Sequence, residues 1–346
     1  MNIGLTDEQK MLQDTASGLA EQLGTTDPSN IPTGHTLADH WRRIVDLGVP
    51  TLRSPSLCGL EVSGVETVVV IEQLARTLCS VPVVGQAVLS TELLEAARAD
   101  KELELIAEGH LRVAPVLGND LKGFGGAEAH GIAFDAAGAT HALLTAQVDG
   151  QRRLTCASLA DHGPMGLDLT RSLFHISDES SSATVIGEPI DDQRWYRVES
   201  LALIAVAADL VGVMQGALDE AVRYAGERVQ FEVKIGSFQA IQHALADALV
   251  RLEGARSCLW HAAWAIDHLP VDEARLAAMT AKAYAAAAGR DVVETAVQVF
   301  GGIAITWEHV SHLRVRRTLL DRRLFGDETA QYEAIATMRL ADEELA

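Results

Sequence analysis

Aromatic side chains are scarce in this chain. Phe, Tyr and Trp together supply 5% of its 346 residues, and Ala, Leu and Val carry most of the apolar content. That balance favours packed helices over aromatic-rich sheets. Cysteine is equally thin. Cys58, Cys79, Cys156 and Cys258 stand far apart with no Cys-x-x-Cys pair, which argues against a disulfide framework and against a zinc site. The 12 histidines never fall into a His-Glu-x-x-His spacing, and His309 and His312 read as a surface pair. Basic stretches are also missing. At a net charge of −20 the chain has no patch suited to tracking a phosphate backbone, so nucleic acid is not an expected partner. The N-terminus lacks the basic-then-apolar pattern of a leader, and nowhere do ~18 apolar residues run uninterrupted. The expectation is a soluble, cytoplasmic protein with no membrane span.

What remains is a chain that is 48% hydrophobic, enough to build two or three packed modules. Thr6-x-x-Gln9 reads as a capping box opening a first helix, with Leu5, Leu12, Ala16, Leu19 and Leu23 at helical spacing. Further helices are expected over 38–47, from Ser63-x-x-Glu66 onward, and near 89–106. From about residue 113 the pattern changes to short apolar runs split by glycines. Segments 142–148 and 152–157 flank Asp149-Gly150, a two-residue hairpin signal. Helical periodicity returns near Trp195 and predicts helices over 201–224, 238–252, 274–300 and 319–338. The spacing places Phe238, Ile241, Leu245, Leu249 and Leu252 on the core face of the second of these. Helix, then sheet, then helix is an α+β arrangement with boundaries at 1–112, 113–190 and 191–346. Trp260 and Trp264 fill core or interface in this reading.

Two polar stretches interrupt the last helical region. Arg228 ends one helix, where a cation is favoured by the helix dipole, and the chain then runs Val-Gln230-Phe231-Glu-Val-Lys-Ile-Gly-Ser-Phe238-Gln239 into the next helix start, a natural anion site. Further on, Gln298-Val-Phe-Gly301-Gly302 removes two side chains in a row, so that backbone can lie against a flat or charged ligand. Singly, each has a bland reading as a helix-terminal charge or a turn. In order and together they resemble the acyl-CoA dehydrogenase flavoproteins, whose patterns there are Arg-x-x-Phe-Gly-x-x-Ile-x-x-Phe-Gln and Gln-x-x-Gly-Gly-x-Gly. The basic run Arg314-Val-Arg316-Arg317 follows, and Gly166-Leu-Asp-Leu-Thr-Arg171 resembles the family's middle-domain Gly-x-Asp-x-(Ser/Thr)-Arg.

The resemblance implies an acyl-CoA dehydrogenase-like fold: a helical N-terminal domain, a small β middle domain and a C-terminal four-helix bundle. It implies FAD as cofactor, an acyl-CoA thioester as substrate, α,β-dehydrogenation as the reaction and an electron-transfer flavoprotein-type acceptor. Cofactor contacts carried over by position are Arg228, Gln230, Phe231, Phe238, Gln239, Gln298, Gly301, Gly302, Thr329 and Gln331.

The chain also departs from the family. The stretch Tyr-Glu-Gly-Thr-x-Gln, which carries the base, aligns with Gly326-Asp327-Glu328-Thr329-Ala330-Gln331, so that Asp327 stands either as a shortened base or as a helix N-cap. The alternative base position on the preceding helix falls on Ala202, and a family Arg beside it on Leu203. Glu232 replaces the Gly after Phe231, and Ala304 replaces the last Gly of the second pattern. Segment 116–126 stands where the family's flavin-ring segment is expected, without its residues. The pattern fits the degenerate subunit of actinobacterial heterotetrameric enzymes of steroid side-chain oxidation. A self-sufficient homo-oligomer using Asp327 and a non-catalytic assembly subunit are the alternatives.

Overall fold

The computed structural model describes residues 4–54, 57, 63–125, 130–159, 166–176 and 183–344. Cys58 and Gly126 lie outside these. The N-terminal region is α1 (Asp7–Leu23), α2 (Gly34–Asp46), α3 (Gly64–Arg76), α4 (Ser90–Ala96) and α5 (Asp100–Ala107). Both capping boxes form: the Thr6 hydroxyl accepts from Gln9 N at 3.2 Å while Gln9 Oε1 accepts from Thr6 N at 2.9 Å, and Ser63 and Glu66 do the same for α3. The helix expected over 89–106 is broken instead. A π-helical stretch, Val83–Leu89, leads into α4, and Arg98 in the left-handed region (φ +50°) separates α4 from α5.

The middle region is a six-stranded sheet of β1 (Val113–Leu117), β2 (Gly131–Phe134), β3 (His141–Val148), β4 (Gln151–Ser158), β5 (Leu173–Ile176) and β6 (Thr184–Ile186), in the order β5-β2-β1-β3-β4-β6. Among the described residues, only β1 and β3 pair in parallel. The β3–β4 hairpin closes where expected, with Asp149 and Gly150 at φ +52° and +74°, the two positive dihedrals of a type I′ turn. One face of the sheet, through Val113, Leu143 and Leu154, packs on Leu93, Leu94, Trp195 and Val198 of the helical regions.

The C-terminal region is α6 (Asp192–Glu227), α7 (Gln239–His268), α8 (Val271–Phe300), α9 (Ser311–Arg323) and α10 (Glu328–Glu344), with a small hairpin, β7 (Val229–Gln230) and β8 (Val233–Lys234), between α6 and α7. α6 is apolar on all sides because it is the central helix. By length and composition it could cross a membrane, but 94% of its most apolar window is buried inside the bundle. The final helix expected over 319–338 is two helices. Phe325 (φ +57°) and Gly326 (φ +90°) turn the chain out of α9, and Asp327 starts α10. The α7 face is also less buried than its periodicity implies: Leu252 is in the core, whereas Phe238 and Leu249 are 39% and 47% exposed. Apolar residues on α7 therefore serve a surface as well as a core.

Candidate cofactor site

Arg228 is the residue at which α6 ends. Its N–H still donates to Tyr224 O at 2.8 Å, and its own carbonyl accepts from Ile235 N at 2.9 Å, which closes the β7–β8 hairpin against the helix end. Phe231 and Glu232 form the turn at φ +53° and +66°. The backbone therefore keeps the left-handed conformation that a glycine would adopt freely, and Glu232 adopts it under strain. Gly236 lets the returning strand lie on α6: a Cβ there would meet Ala225 O at 2.9 Å. No side chain caps α7, so its first N–H groups are open. The Arg228 guanidinium is exposed and, among the described residues, has no hydrogen-bond or ion-pair partner. Gln230 and Gln239 are exposed beside it.

The second stretch ends α8. Gly301 sits at φ +67°, ψ −141°, a region essentially reserved for glycine, and a Cβ on Gly301 or Gly302 would meet no atom within 4 Å. The two backbones are thus bare and open. Gln298 is exposed one turn earlier. The stretches meet through rings: Tyr224, one turn before Arg228, packs on Phe300 at 5.2 Å between centroids, and Phe300 packs on His309 at 4.6 Å. Around them Val229, Phe231, Val233, Phe238, Ile303, Ile305 and Trp307 are all at least 39% exposed. An open polar cluster ringed by exposed apolar residues is the profile of a covered surface rather than a solvated one. Nothing in the Arg-x-x-Phe spacing pointed to Tyr224 or Phe300; their signal was the helical period that puts them on facing sides of α6 and α8.

Asp327, Thr329 and Gln331 form a separate group. Asp327 Oδ1 accepts from Ala330 N at 3.2 Å, an N-cap of α10, and Oδ2 stands 3.6 Å from Arg323 Nη1. Gln331 is 6% exposed and spends its amide on Phe325 O at 2.7 Å, while Thr329 is exposed. Lys282 of α8, fully buried, donates to Arg322 O at 3.0 Å and Gly326 O at 2.8 Å and so pins the turn that carries Asp327. Burial lowers the Lys282 pKa to about 8. On the other side, Leu121 O accepts from Phe325 N at 2.7 Å, and Phe124 meets the Phe325 ring at 5.1 Å and the Trp195 ring at 5.6 Å. Loop 118–125, standing where a flavin-ring segment was expected, is thus fastened onto the Asp327 turn. The dent left beside Asp327, about 300 Å³, is lined by Asp120, Lys122, Arg323 and Glu333, not by apolar walls.

Gln298 follows Lys282 by sixteen positions on the same helix. At 1.5 Å per residue the Asp327 turn and the Arg228 cluster are about 24 Å apart along α8. The ten expected cofactor residues therefore fall into two groups, Arg228 to Gly302 at one end of α8 and Thr329 and Gln331 at the turn that Lys282 pins. Ala202 and Leu203 lie buried in α6, and neither position offers a carboxylate or a cation.

The basic run after the glycines turns inward. Arg314 pairs with Glu220 at 2.6 Å, Arg316 donates to Leu167 O at 2.8 Å, and Arg317 is buried against Asp209. His309 accepts from Ser311 N, and His312 stacks on Trp307; among the described residues no group of His, Cys, Asp or Glu is placed to hold a metal. Cys79, Cys156 and Cys258 are free thiols, and Trp260 and Trp264 are half-buried beside α1.

Comparison with known proteins agrees with this anatomy. The family model described as "Acyl-CoA dehydrogenase, C-terminal domain" matches residues 202–339. The chain is 31% identical over 317 residues to "Acyl-CoA dehydrogenase IpdE2" of Mycobacterium tuberculosis, covering 90% of this chain and 91% of that protein. Among solved structures, a variant of the "Tcur3481-Tcur3483 steroid ACAD" superposes with TM-score 0.80 at 21% identity over 98% of this chain and 99% of that one. The "ChsE4-ChsE5 complex from Mycobacterium tuberculosis" does so with TM-score 0.73 at 23% identity over 97% and 98%. Those two show the fold; the relative similar along nearly its whole length shows the family. The chain belongs to the acyl-CoA dehydrogenases, FAD-dependent oxidoreductases.

Proposed function

We propose that this chain is one subunit of an acyl-CoA dehydrogenase assembly, and that its Arg228 hairpin and Gly301 turn complete the FAD site of a second, catalytically intact subunit. The residues present fit the adenosine and pyrophosphate end of the cofactor. Arg228 offers a free guanidinium, the α7 N-terminus offers uncapped N–H groups, Gln230, Gln239 and Gln298 offer amides, and Gly301-Gly302 offers bare backbone. When bound, FAD supplies the two-electron acceptor for oxidation across Cα–Cβ of the thioester.

One observation carries this reading: the Arg228 guanidinium stands exposed and, among the described residues, unpartnered inside a ring of exposed apolar side chains. A ligand gripped there would be shared with a covering chain. The capping role of Asp327 and the attachment of loop 118–125 to its turn support the same conclusion for the near side. The exposed apolar ring around Arg228 supports a covering chain, and matched structures that carry paired names, one of them called a complex, support a partner subunit. A steroid-derived acyl-CoA is the first substrate to try, since one matched structure is named a steroid enzyme. The assembly works in the cytoplasm and passes electrons to an electron-transfer flavoprotein-type acceptor.

The test is the flavin content of the chain expressed alone and with its partner subunit. The reading expects little FAD in the first case and stoichiometric FAD in the second. A homo-oligomer that binds one FAD per chain and turns over acyl-CoA would replace it with the self-sufficient enzyme. An assembly whose FAD content is indifferent to Arg228→Ala would leave a scaffold role.

A further inference from the structure

Far from the cofactor surface, the three domains meet on buried charge. The middle domain contributes Asp135, Asp168 and Arg171; α6 contributes Asp209; α9 contributes Arg317 and Asp321. Their side chains are at most 6% exposed, and Asp321 is completely buried. Arg171 reaches Asp135 at 2.9 Å, Asp209 at 3.0 Å and Asp321 at 3.2 Å. Arg317 holds Asp209 at 2.7 and 2.8 Å and donates to Cys79 O of the N-terminal domain at 2.8 Å. Asp135 Oδ2 accepts from Gly85 N, also in that domain, at 2.8 Å.

The charges do not balance. Four carboxylates face two guanidiniums. Lys282 of α8 feels the Asp321 charge, but it spends its hydrogen bonds on carbonyls and makes no ion pair with Asp321. Asp209 and Asp135 take the aligned contacts. Both Asp321 oxygens, and Asp168 Oδ2, are left without an aligned donor. Asp209 and Asp321 share one guanidinium, that of Arg171, in a dry site; two ionised carboxylates there are not tolerated, and a proton between them removes the conflict.

We infer that Asp321 carries a proton that it shares with Asp209, and that this proton is part of a latch joining the three domains, which weakens as pH rises. Burial and the neighbouring Asp209 push the Asp321 carboxyl well above the usual carboxylate range against the pull of Arg171 and Arg317. Burial acts on Asp209 as well, but there the two guanidiniums win and hold it ionised. Asp168, likewise buried, is raised. The sign follows. Between the ordinary carboxylate pKa and the raised one, the folded chain holds a proton on Asp321 that the unfolded chain has lost. Each pH unit in that window lowers the folding equilibrium constant by up to tenfold.

The latch has a local reporter. Arg171 is inaccessible while the joint is closed, so trypsin cuts after it only when the middle domain lifts from α9. In the full chain, cleavage after Arg171, referenced to cleavage after the exposed Arg228, should accelerate as pH rises above the ordinary carboxylate range, by up to tenfold per unit. In Asp321→Asn, which keeps the shape and cannot titrate at 321, the ratio should rise less steeply, with only Asp168 left to titrate. The same profile in both proteins would overturn the assignment. Should Asp321→Asn fail to fold, infrared spectra of the wild type decide. A protonated-carboxyl stretch that survives above the ordinary carboxylate range and fades in step with the cleavage ratio supports the latch. No such band above that range, or one that persists unchanged while the ratio rises, rejects it.

Discussion

Tyr224 and Phe300 lie 5.2 Å apart, ring to ring, and that contact joins the end of α6 to the end of α8. Arg228 leaves one side of the pair and Gly301 the other. Two stretches separated by some seventy residues thereby form one exposed patch. Replacing Phe300 by Ala removes a mostly buried ring and costs about 3–5 kcal/mol. The loss should be read as lower flavin retention in the assembly together with a lower thermal midpoint.

Arg228→Ala should behave differently. The side chain is exposed and unpartnered, so the thermal midpoint of the isolated chain should not move. Flavin retention in the assembly should fall by the equivalent of a charge-assisted hydrogen bond, about 1.5–3 kcal/mol, or roughly ten- to a hundredfold in affinity. Equilibrium dialysis of FAD against wild-type and variant assemblies measures it.

Asp327 separates a cap from a base. Asn caps a helix as well as Asp does but cannot take a proton from substrate. Asp327→Asn should leave both stability and turnover per flavin unchanged. Asp327→Ala should lose about 1 kcal/mol of stability, seen in urea denaturation, and no turnover. A hundredfold loss of turnover in the Asn variant would establish Asp327 as the base.

Glu232 occupies a position whose φ of +66° suits glycine. Glu232→Gly should relieve strain of about 1 kcal/mol, offset in part by the added freedom of the unfolded chain. The net expectation is a small gain in thermal midpoint and unchanged FAD content.

Lys282 gives a pH signature opposite to that of Asp321. Its folded pKa is lowered to about 8 from the ordinary 10.5, chiefly by burial. Between those values the unfolded state binds more protons, so stability rises with pH by up to ~1.4 kcal/mol per unit. Below about 8 the burial penalty is complete; above 10.5 it is gone. Lys282→Met does not titrate, and the difference in unfolding free energy between wild type and variant should climb over that interval and be flat below it.

Much of this anatomy was legible in the residues. The capping boxes at Thr6 and Ser63 and the Asp149-Gly150 turn are local signals, decided within four residues. The Arg228 and Gly301 stretches were visible because helix ends need special residues. What was not legible depended on partners distant in sequence. The helix expected over 319–338 breaks at 324–327, where Lys282 and Leu121 hold the turn through backbone groups that no side-chain pattern encodes. The interdomain latch had one available sign: Asp209 is the lone charge in the apolar run from 200 to 218. A charge in such a place is buried with partners, but its partners lie in the middle domain and on α9. Gln331 matched the cofactor pattern, yet its amide is occupied by Phe325 O.

The most direct measurement is the ratio of FAD to this chain, taken once on chain purified alone and once on tagged chain recovered with whatever it binds in its own host. The chain should be nearly colourless alone, and in the second case should form a yellow complex with another chain of acyl-CoA dehydrogenase fold that loses its flavin on Arg228→Ala. One tightly bound FAD per chain in the protein purified alone would contradict it.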